Sequence, residues 1–531
     1  MPGESARIRQ RRTSVKVLLL HTNREHAPQP VVPMGLCLIA SCLEARGHEV
    51  TMLDLCFSRS PRRDIERALR RCTPDAIGLS VRNLDNGEYL RPRAYLAQIA
   101  DIARACREHS AAPVVIGGPA VSIAPRQLLE RTGADYAVVG EGEQVLPELL
   151  ARLAAKEPTC GLPSAWSRAQ PDPALPAPER VEDLNSLPDA QPGRWLDLGR
   201  YLRWGSPLPI QTKRGCALKC IHCTYQLIEG ARYRLRAPEA AVEEMEQAAR
   251  QWGVRRFEIV DSTLNHPPRH ALALCEAIAR SGLRAELYTM GLNPTGMSRE
   301  LLELMKRAGF SSVLCTPDSA SEQMLATLRK GFGVEQVTRT ATWAREAGLP
   351  VLWSFLFGGP GESEKTVRET VRFMDKALGP HDRILSAVGL RVYPRTELAQ
   401  IVHAQGMVAP DADLTAPVFY CSPEIAPARI VELLEGSSRR SQMLYLEALQ
   451  RPAIPWALRA RAALGLRGPM WGAVPLYNRL ARRARRSALV EPARQGLPRR
   501  AGTVRGAFNS SSGGNPHARD KDEVGPKGRR A

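Results

Sequence analysis

Short apolar runs and amphipathic stretches take turns along most of this chain. In the first part, Val15–Leu20, Glu49–Leu55, Ala76–Val81, Pro113–Ile116 and Tyr136–Val139 read as strands. Gly35–Arg46, Arg62–Arg71, Tyr95–His109 and Pro125–Thr132 carry apolar residues three and four apart and read as helices between them. That alternation predicts a doubly wound parallel sheet, whose ligands bind at the carboxyl ends of the strands. Two glycine-rich turns fall at such ends, Gly117-Gly118-Pro119 and Gly140-Glu141-Gly142-Glu143. Glu157–Trp195 is rich in proline and shows no period, so it reads as a linker.

A second alternating segment comes after it. Strands fit Leu208–Lys213, Arg256–Val260, Ala285–Met290, Ser312–Thr316, Val351–Phe357 and Ser386–Tyr393. Helices fit Ala237–Trp252, Pro268–Ser281, Arg299–Ala308, Glu322–Leu328, Val334–Ala347 and Glu364–Ala377. Six such units predict a full or partial (β/α)6 barrel with its chemistry at the strands' carboxyl ends. Ile430–Leu449 then fits a helix, and Pro452–Tyr477 fits a surface helix pair, a lid over the barrel mouth, or a membrane-touching patch, with ordinary packing preferred. The expected domains are a basic N-terminus (1–14), an α/β domain (15–155), a linker (156–205), a barrel (206–410), a helical region (411–476) and a basic tail (477–531).

Composition narrows the class. An apolar fraction of 44% suits a globular protein, and no run of about 20 apolar residues could span a membrane. No apolar stretch with a cleavage site follows the N-terminal arginines, so a cytoplasmic protein is expected. Peripheral membrane contact stays open. The net charge of +19 raises nucleic-acid binding. However, from Tyr477 onward there are fourteen Arg and Lys against four Asp and Glu, so ten of those charges sit in a low-complexity tail. No stable nucleic-acid partner is expected.

Twelve cysteines without an export signal argue against a disulfide framework. Cys37, Cys42, Cys275 and Cys315 lie in apolar runs, as small buried hydrophobes do. Cys216, Cys220 and Cys223 instead crowd one loop, Gly215-Cys-Ala-Leu-Lys-Cys-Ile-His-Cys223. Thiolates are soft ligands suited to iron–sulfur clusters. Three of them hold three corners of a [4Fe–4S] cube and leave one iron open, with Lys213 and Arg214 offsetting part of its negative charge. A structural zinc site would need His222 as a fourth ligand, poorly spaced beside Cys223. Buried structural thiols are the other reading.

Cys-x3-Cys-x2-Cys after the first barrel strand resembles the radical S-adenosylmethionine (SAM) superfamily. The resemblance implies that SAM chelates the open iron and is cleaved by an electron from the cluster to a 5′-deoxyadenosyl radical. His222 stands where that family usually has an aromatic carbocycle. The resemblance also implies SAM contacts at Asp261 and Ser262 after the second strand, and at Asp318 and Ser319 after the fourth. After the fifth strand it implies contacts at Gly358, Gly359 and Glu362. Arg391-Val-Tyr-Pro-Arg-Thr396 resembles the turn after the sixth, where Tyr393 is a candidate proton or substrate contact.

A doubly wound domain ahead of such a barrel resembles the cobalamin-binding branch of this superfamily. The corrin is then expected between the domains, against Gly117, Gly118, Pro119, Gly140, Glu141, Gly142 and Glu143. The Asp-x-His-x-x-Gly motif that supplies a lower cobalt ligand is absent, and neither His21 nor His26 is set in it. Arg82 or Asn83 is the candidate for the position beneath cobalt; the alternative is that Arg82 pairs with Asp85 or caps a helix. The implied activity is cobalamin-dependent C-methylation of an unactivated carbon in a small molecule or natural-product precursor, fed by a flavodoxin- or ferredoxin-like electron donor. The alternatives are a radical SAM cyclisation, dehydration or oxidation, an RNA-modifying or nucleic-acid-binding protein, and a non-catalytic electron carrier.

Overall fold

The computed structural model describes residues 14–169, 178–446 and 453–468, with 449, 471, 472, 474, 475 and 478. Nearly all of the two expected basic termini lies outside the described residues. The first sheet is built from β1 (Lys16–His21), β2 (Glu49–Asp54), β3 (Ala76–Ser80), β4 (Val114–Gly117), β5 (Tyr136–Val138) and β6 (Ala165–Ser167). Its order is β2-β1-β3-β4-β5-β6, all parallel except the last pair. Both faces are covered, as a parallel sheet requires. Leu18, Leu20, Ile77 and Ile116 pack with Ile65, Leu69 and Ile102 on one side, while Val17, Leu19 and Val115 pack with Leu36, Ala40 and Leu149 on the other.

Two expectations change here. The stretch read as linker supplies β6, because Ala165–Ser167 pairs antiparallel with Tyr136–Val138 and seats Trp166 in the core. Gly142 opens a helix, Gly142–Ala155, that periodicity had not separated from the glycine-rich turn.

The second unit contains β7 (Leu208–Ile210), β8 (Lys213–Arg214), β9 (Arg234–Leu235), β10 (Arg256–Ile259), β11 (Glu286–Thr289), β12 (Val313–Asp318), β13 (Val351–Phe357) and β14 (Arg383–Val388). It continues with β15 (Leu390–Arg391), β16 (Phe419–Tyr420) and β17 (Met443–Tyr445). The parallel order β7-β10-β11 joins β12-β13-β14-β17 through bridges at Leu287–Phe310 and Leu292–Cys315, giving a partial barrel. Leu208, Phe257, Ile259, Trp353 and Phe355 face the surrounding helices and are fully buried, each stabilising by about 1.5–3 kcal/mol. With a period of two, Glu258 and Tyr288, paired across β10 and β11, face the lumen.

The sixth strand begins earlier than expected. It ends at Val388 because Gly389 takes φ +83°, and a Cβ there would lie 3.0 Å from the Tyr89 ring. The chain then turns into β15, antiparallel to β16. The helix expected over Ile430–Leu449 stops at Glu435, where Gly436 caps it and the Ser437 and Ser438 hydroxyls donate to Asp375. The chain then forms β17, a seventh strand beside β14. Helix Ala453–Ala463 packs on helix Leu198–Arg203. Its Arg461 reaches Glu286 and Tyr288, so it plugs the amino end of the barrel and is no lid over the mouth. Among the described residues, no helix is long and apolar enough to cross a membrane.

Candidate functional site

The cysteine loop leaves β8 through Gly215. Its φ is +93°, and a Cβ there would strike the Arg232 carbonyl, so only glycine fits. The loop is pinned at several points. Cys216 N–H donates to the Gly230 carbonyl (3.0 Å), Ile221 N–H to Leu328 (3.3 Å) and Cys223 N–H to Cys220 (3.2 Å), while Leu398 N–H reaches the Ile221 carbonyl (2.9 Å). All three thiols are free; Cys216 is buried, and Cys220 and Cys223 are half-buried. Burial pushes the Cys220 thiol up and the Cys223 thiol up to about 12. Lys213 is wholly buried, its Nζ 4.8 Å from the Tyr233 ring and without a hydrogen-bond partner, and its charge acts on Cys216, Asp261 and Glu229. An unpaired buried ammonium is costly unless an anion sits nearby. Three soft thiols beside it fit an anionic iron–sulfur cluster. Among the described residues, no three His, Cys, Asp or Glu converge on a single ion; a cube gives each thiolate its own iron and needs no such convergence.

Several acidic residues expected at cofactors are bonded to protein instead. Asp261 is buried, and its oxygens accept from Thr212 N–H (2.7 Å), Thr212 Oγ1 (2.6 Å) and Lys213 N–H (3.2 Å). It clasps the root of the cysteine loop. Ser262 donates to the Gly215 carbonyl (2.8 Å) and braces the same loop. Glu362 is buried within its own turn, accepting from Gly358 N–H (3.2 Å) and Thr366 Oγ1 (2.7 Å); burial pushes its carboxyl up to about 7. Gly358 needs its φ of +90°, and a Cβ on Gly359 would press on Met324 at 3.1 Å. Ser319 shares a hydrogen bond with Thr370 (3.1 Å), and Asp318 meets Lys330 Nζ at 2.6 Å.

Glu141 accepts from Arg234 Nη1 (2.7 Å) and Val181 N–H (2.8 Å) and lies 3.3 Å from Arg214. Glu143 accepts from Arg214 Nη2 at 2.6 Å. All four side chains are buried, so these carboxylates tie the first domain to the cysteine loop. Gly140 is likewise packed, since a Cβ there would lie 2.8 Å from Pro178, and Gly142 approaches Ile39. Arg214 is thereby removed from the set offsetting the cluster's charge.

The opposite end of the interface is also stitched. Asp85, in the loop after β3, accepts from Arg391 Nε at 2.7 Å, with both groups buried. Arg82 is therefore not paired with Asp85. It is open to solvent yet hemmed by protein, as in the wall of a cleft. Desolvation there lowers its pKa, and only the charges of Tyr225, Glu258 and Tyr95 oppose this. Arg82 and Asn83 line a small, water-sized recess with Thr22, Tyr95 and Gln98. Beside it, Gly118 has φ +107°, and a Cβ would lie 2.7 Å from the Val81 carbonyl. Gly117 meets no such constraint, and Pro119 opens helix Pro119–Ile123, which packs against helix Tyr225–Glu229. Tyr393 lies under the Arg391 guanidinium at 4.5 Å and packs on the first domain's core; burial raises its phenol's pKa.

Two residues escaped the sequence reading. Glu258 faces the lumen, and burial pushes its carboxyl up to about 7, with Arg82 the one opposing charge. Its only signal was an acid in an otherwise apolar strand. Lys330 sits in a turn with no sequence signal.

The family profile for the radical SAM superfamily matches residues 210–374, and that for the B12 binding domain matches residues 20–150. Tryptophan 2-C-methyltransferase of Streptomyces laurentii is 27% identical over 456 residues, covering 73% of this chain and 74% of the relative. An uncharacterized methyltransferase of Pyrococcus horikoshii is 26% identical over 373 residues, covering 68% and 78%. Among solved structures, the radical SAM methyltransferase TsrM of Kitasatospora setae with cobalamin and a [4Fe–4S] cluster bound superposes with a TM-score of 0.76. It is 26% identical and covers 90% of this chain and 100% of TsrM.

Proposed function

The chain belongs to the cobalamin-binding radical SAM family, and from that premise we propose that it methylates a carbon atom of a small molecule held between its two domains. Its cofactors are a [4Fe–4S] cluster, SAM and cobalamin. When bound, the cluster supplies electrons and SAM and cobalamin supply the methyl-transfer chemistry. The chain's own residues position and shield these groups. Cys216, Cys220 and Cys223 hold the cluster. Asp261, Ser262 and Glu229 keep their loop in shape, Glu229 by accepting from Gly215 N–H at 3.0 Å. Arg82 and Asn83, at the carboxyl end of β3, would help hold the corrin, Arg82 supplying a positive charge beside it. Gly358, Gly359 and Ser319 shape the SAM-facing rim, and Tyr393 borders the substrate space.

The observation that carries this reading is the buried set Glu141, Glu143, Arg214 and Arg234, which fixes the cysteine loop against the strand-end face of the first domain. Glu258 places a carboxyl in the lumen, facing a substrate that enters from that face. The S. laurentii relative acts on tryptophan by its name, so indole-bearing amino acids head the substrate panel. An external one-electron donor is required, and the free thiols suit a reducing cytoplasm. The test is anaerobic incubation of cluster-loaded protein with cobalamin, methyl-labelled SAM, a reductant, and either tryptophan or a small-molecule extract. A labelled product heavier by one methylene supports the reading. Conversion of a substrate with no label gained would replace it with another radical reaction.

A further inference from the structure

We infer that Lys330 sets the charge environment of the iron–sulfur cluster, with Asp318 as the positioning residue that aims it; this rests on the three cysteines holding that cluster. Lys330 lies between helices Glu322–Thr327 and Val334–Glu346 and is 4% exposed. Its Nζ lies 2.6 Å from Asp318 Oδ2. Asp318 closes β12 with φ +66°, a left-handed backbone that aspartate and asparagine adopt more readily than most residues. The same carboxylate oxygen lies 3.6 Å from His222 Nε2, inside the cysteine loop. Leu328, two residues before Lys330, takes the Ile221 N–H. The lysine's turn and the cysteine loop are thus one packed unit.

Removing two charges from water costs several kcal/mol per ion, and an apolar pair of similar size is often at least as stable. A buried Lys–Asp pair is therefore weakly explained by stability. Its surroundings give it another role, because the ammonium's charge acts on both Cys220 and Cys223. Lys213 serves the Cys216 side. With Arg214 taken by Glu141 and Glu143, Lys330 is the second cation of the cluster's cradle. When an external one-electron reductant fills the cluster, its negative charge grows by one electron, and no bond or proton need move. A fixed ammonium beside two of the thiolates favours that reduced state, and net charge is among the factors that set such potentials.

The test is an EPR-monitored redox titration with dithionite, without SAM, on cluster-loaded full-length protein whose iron and sulfide are counted first. Lys330→Met should lower the midpoint by about 59 mV, a tenfold change in the ratio of reduced to oxidised cluster. Asp318→Asn, which tolerates the left-handed backbone, leaves the ammonium unopposed and should raise the midpoint. Lys330→Arg should stay near wild type. Lys330→Met with Asp318→Asn should retain its iron and fall between the single variants. Unshifted midpoints, shifts of the same sign in both single variants, or loss of iron from the double variant would overturn the inference. A wild-type protein that binds no iron would overturn the cysteine assignment itself.

Discussion

Glu141→Gln should destabilise this protein far more than a surface charge change would. Glu141 faces Arg234, Arg214 and Arg180, the last at 3.8 Å, and Glu143 answers only Arg214. Removing one partner of a buried ion pair typically costs ~3–5 kcal/mol, because the remaining charge is stranded. About 1 kcal/mol moves the melting midpoint of a 150–250-residue unit by roughly 2–4 °C, so the loss is on the order of 6–20 °C. Two coupled domains need not unfold in one step, so calorimetry should follow every transition. The arginines adjoin Gly215 and Cys216, and the iron retained after gel filtration should fall as well. Adding Arg234→Met removes the stranded cation, and the double variant should recover part of the loss, a coupling of about 0.5–3 kcal/mol. Burial alone would raise the Glu141 carboxyl, but the Arg234 hydrogen bond and the Arg214 charge outweigh it and hold it below its ordinary value. Its contribution is therefore present above the unfolded pKa and is lost as pH falls through the lower folded value, below about pH 4. A single variant melting within about 2 °C of wild type, or a double variant whose loss is the sum of both singles, would refute the reasoning.

The same geometry sets other outcomes. Replacing Cys216, Cys220 or Cys223 singly with Ala should abolish the cluster's absorbance and SAM cleavage while cobalamin binding, read near its own bands, persists. Arg82→Ala should alter the absorbance and EPR spectra of bound cobalamin by removing the positive charge beside it; an unchanged spectrum would remove Arg82 from the corrin's surroundings. Glu362, raised to about 7 by burial, lends stability below its unfolded pKa that is lost as pH rises through 7, on the order of 3 kcal/mol. Wild-type urea midpoints should therefore fall between about pH 5 and about pH 8, and Glu362→Gln should flatten that slope.

Much of the architecture was legible because parallel strands buried on both faces and amphipathic helices leave strong periods. Pro125–Thr132, Pro268–Ser281, Arg299–Ala308 and Val351–Phe357 fall where the pattern placed them. Short strands whose pairing depends on distant partners left no such mark. Ala165–Ser167 lay inside a proline-rich stretch, and Met443–Tyr445 continued the apolar rhythm of a helix that Gly436 had already ended. The cysteine loop was readable because its spacing is local. The protein partners of the acids were not readable for the converse reason: a carboxylate after a strand looks the same in sequence whether it meets a ligand or an arginine far along the chain. Glu141 meets Arg234, and Asp85 meets Arg391. Lys330 meets Asp318 only twelve residues back, but no helical or strand period links the two positions.

The buried pairs on either flank of the cleft also constrain how this molecule can drift. Grafting the first domain of a distant relative onto this barrel would set foreign side chains against Arg214, Arg234 and Arg391, three cations with no alternative exit to water. Such a chimera has to carry its own matching acids at the seam. Lineages of this protein are therefore expected to exchange seam residues in compensated pairs, while the open cleft wall between them stays free to vary with the molecule it receives.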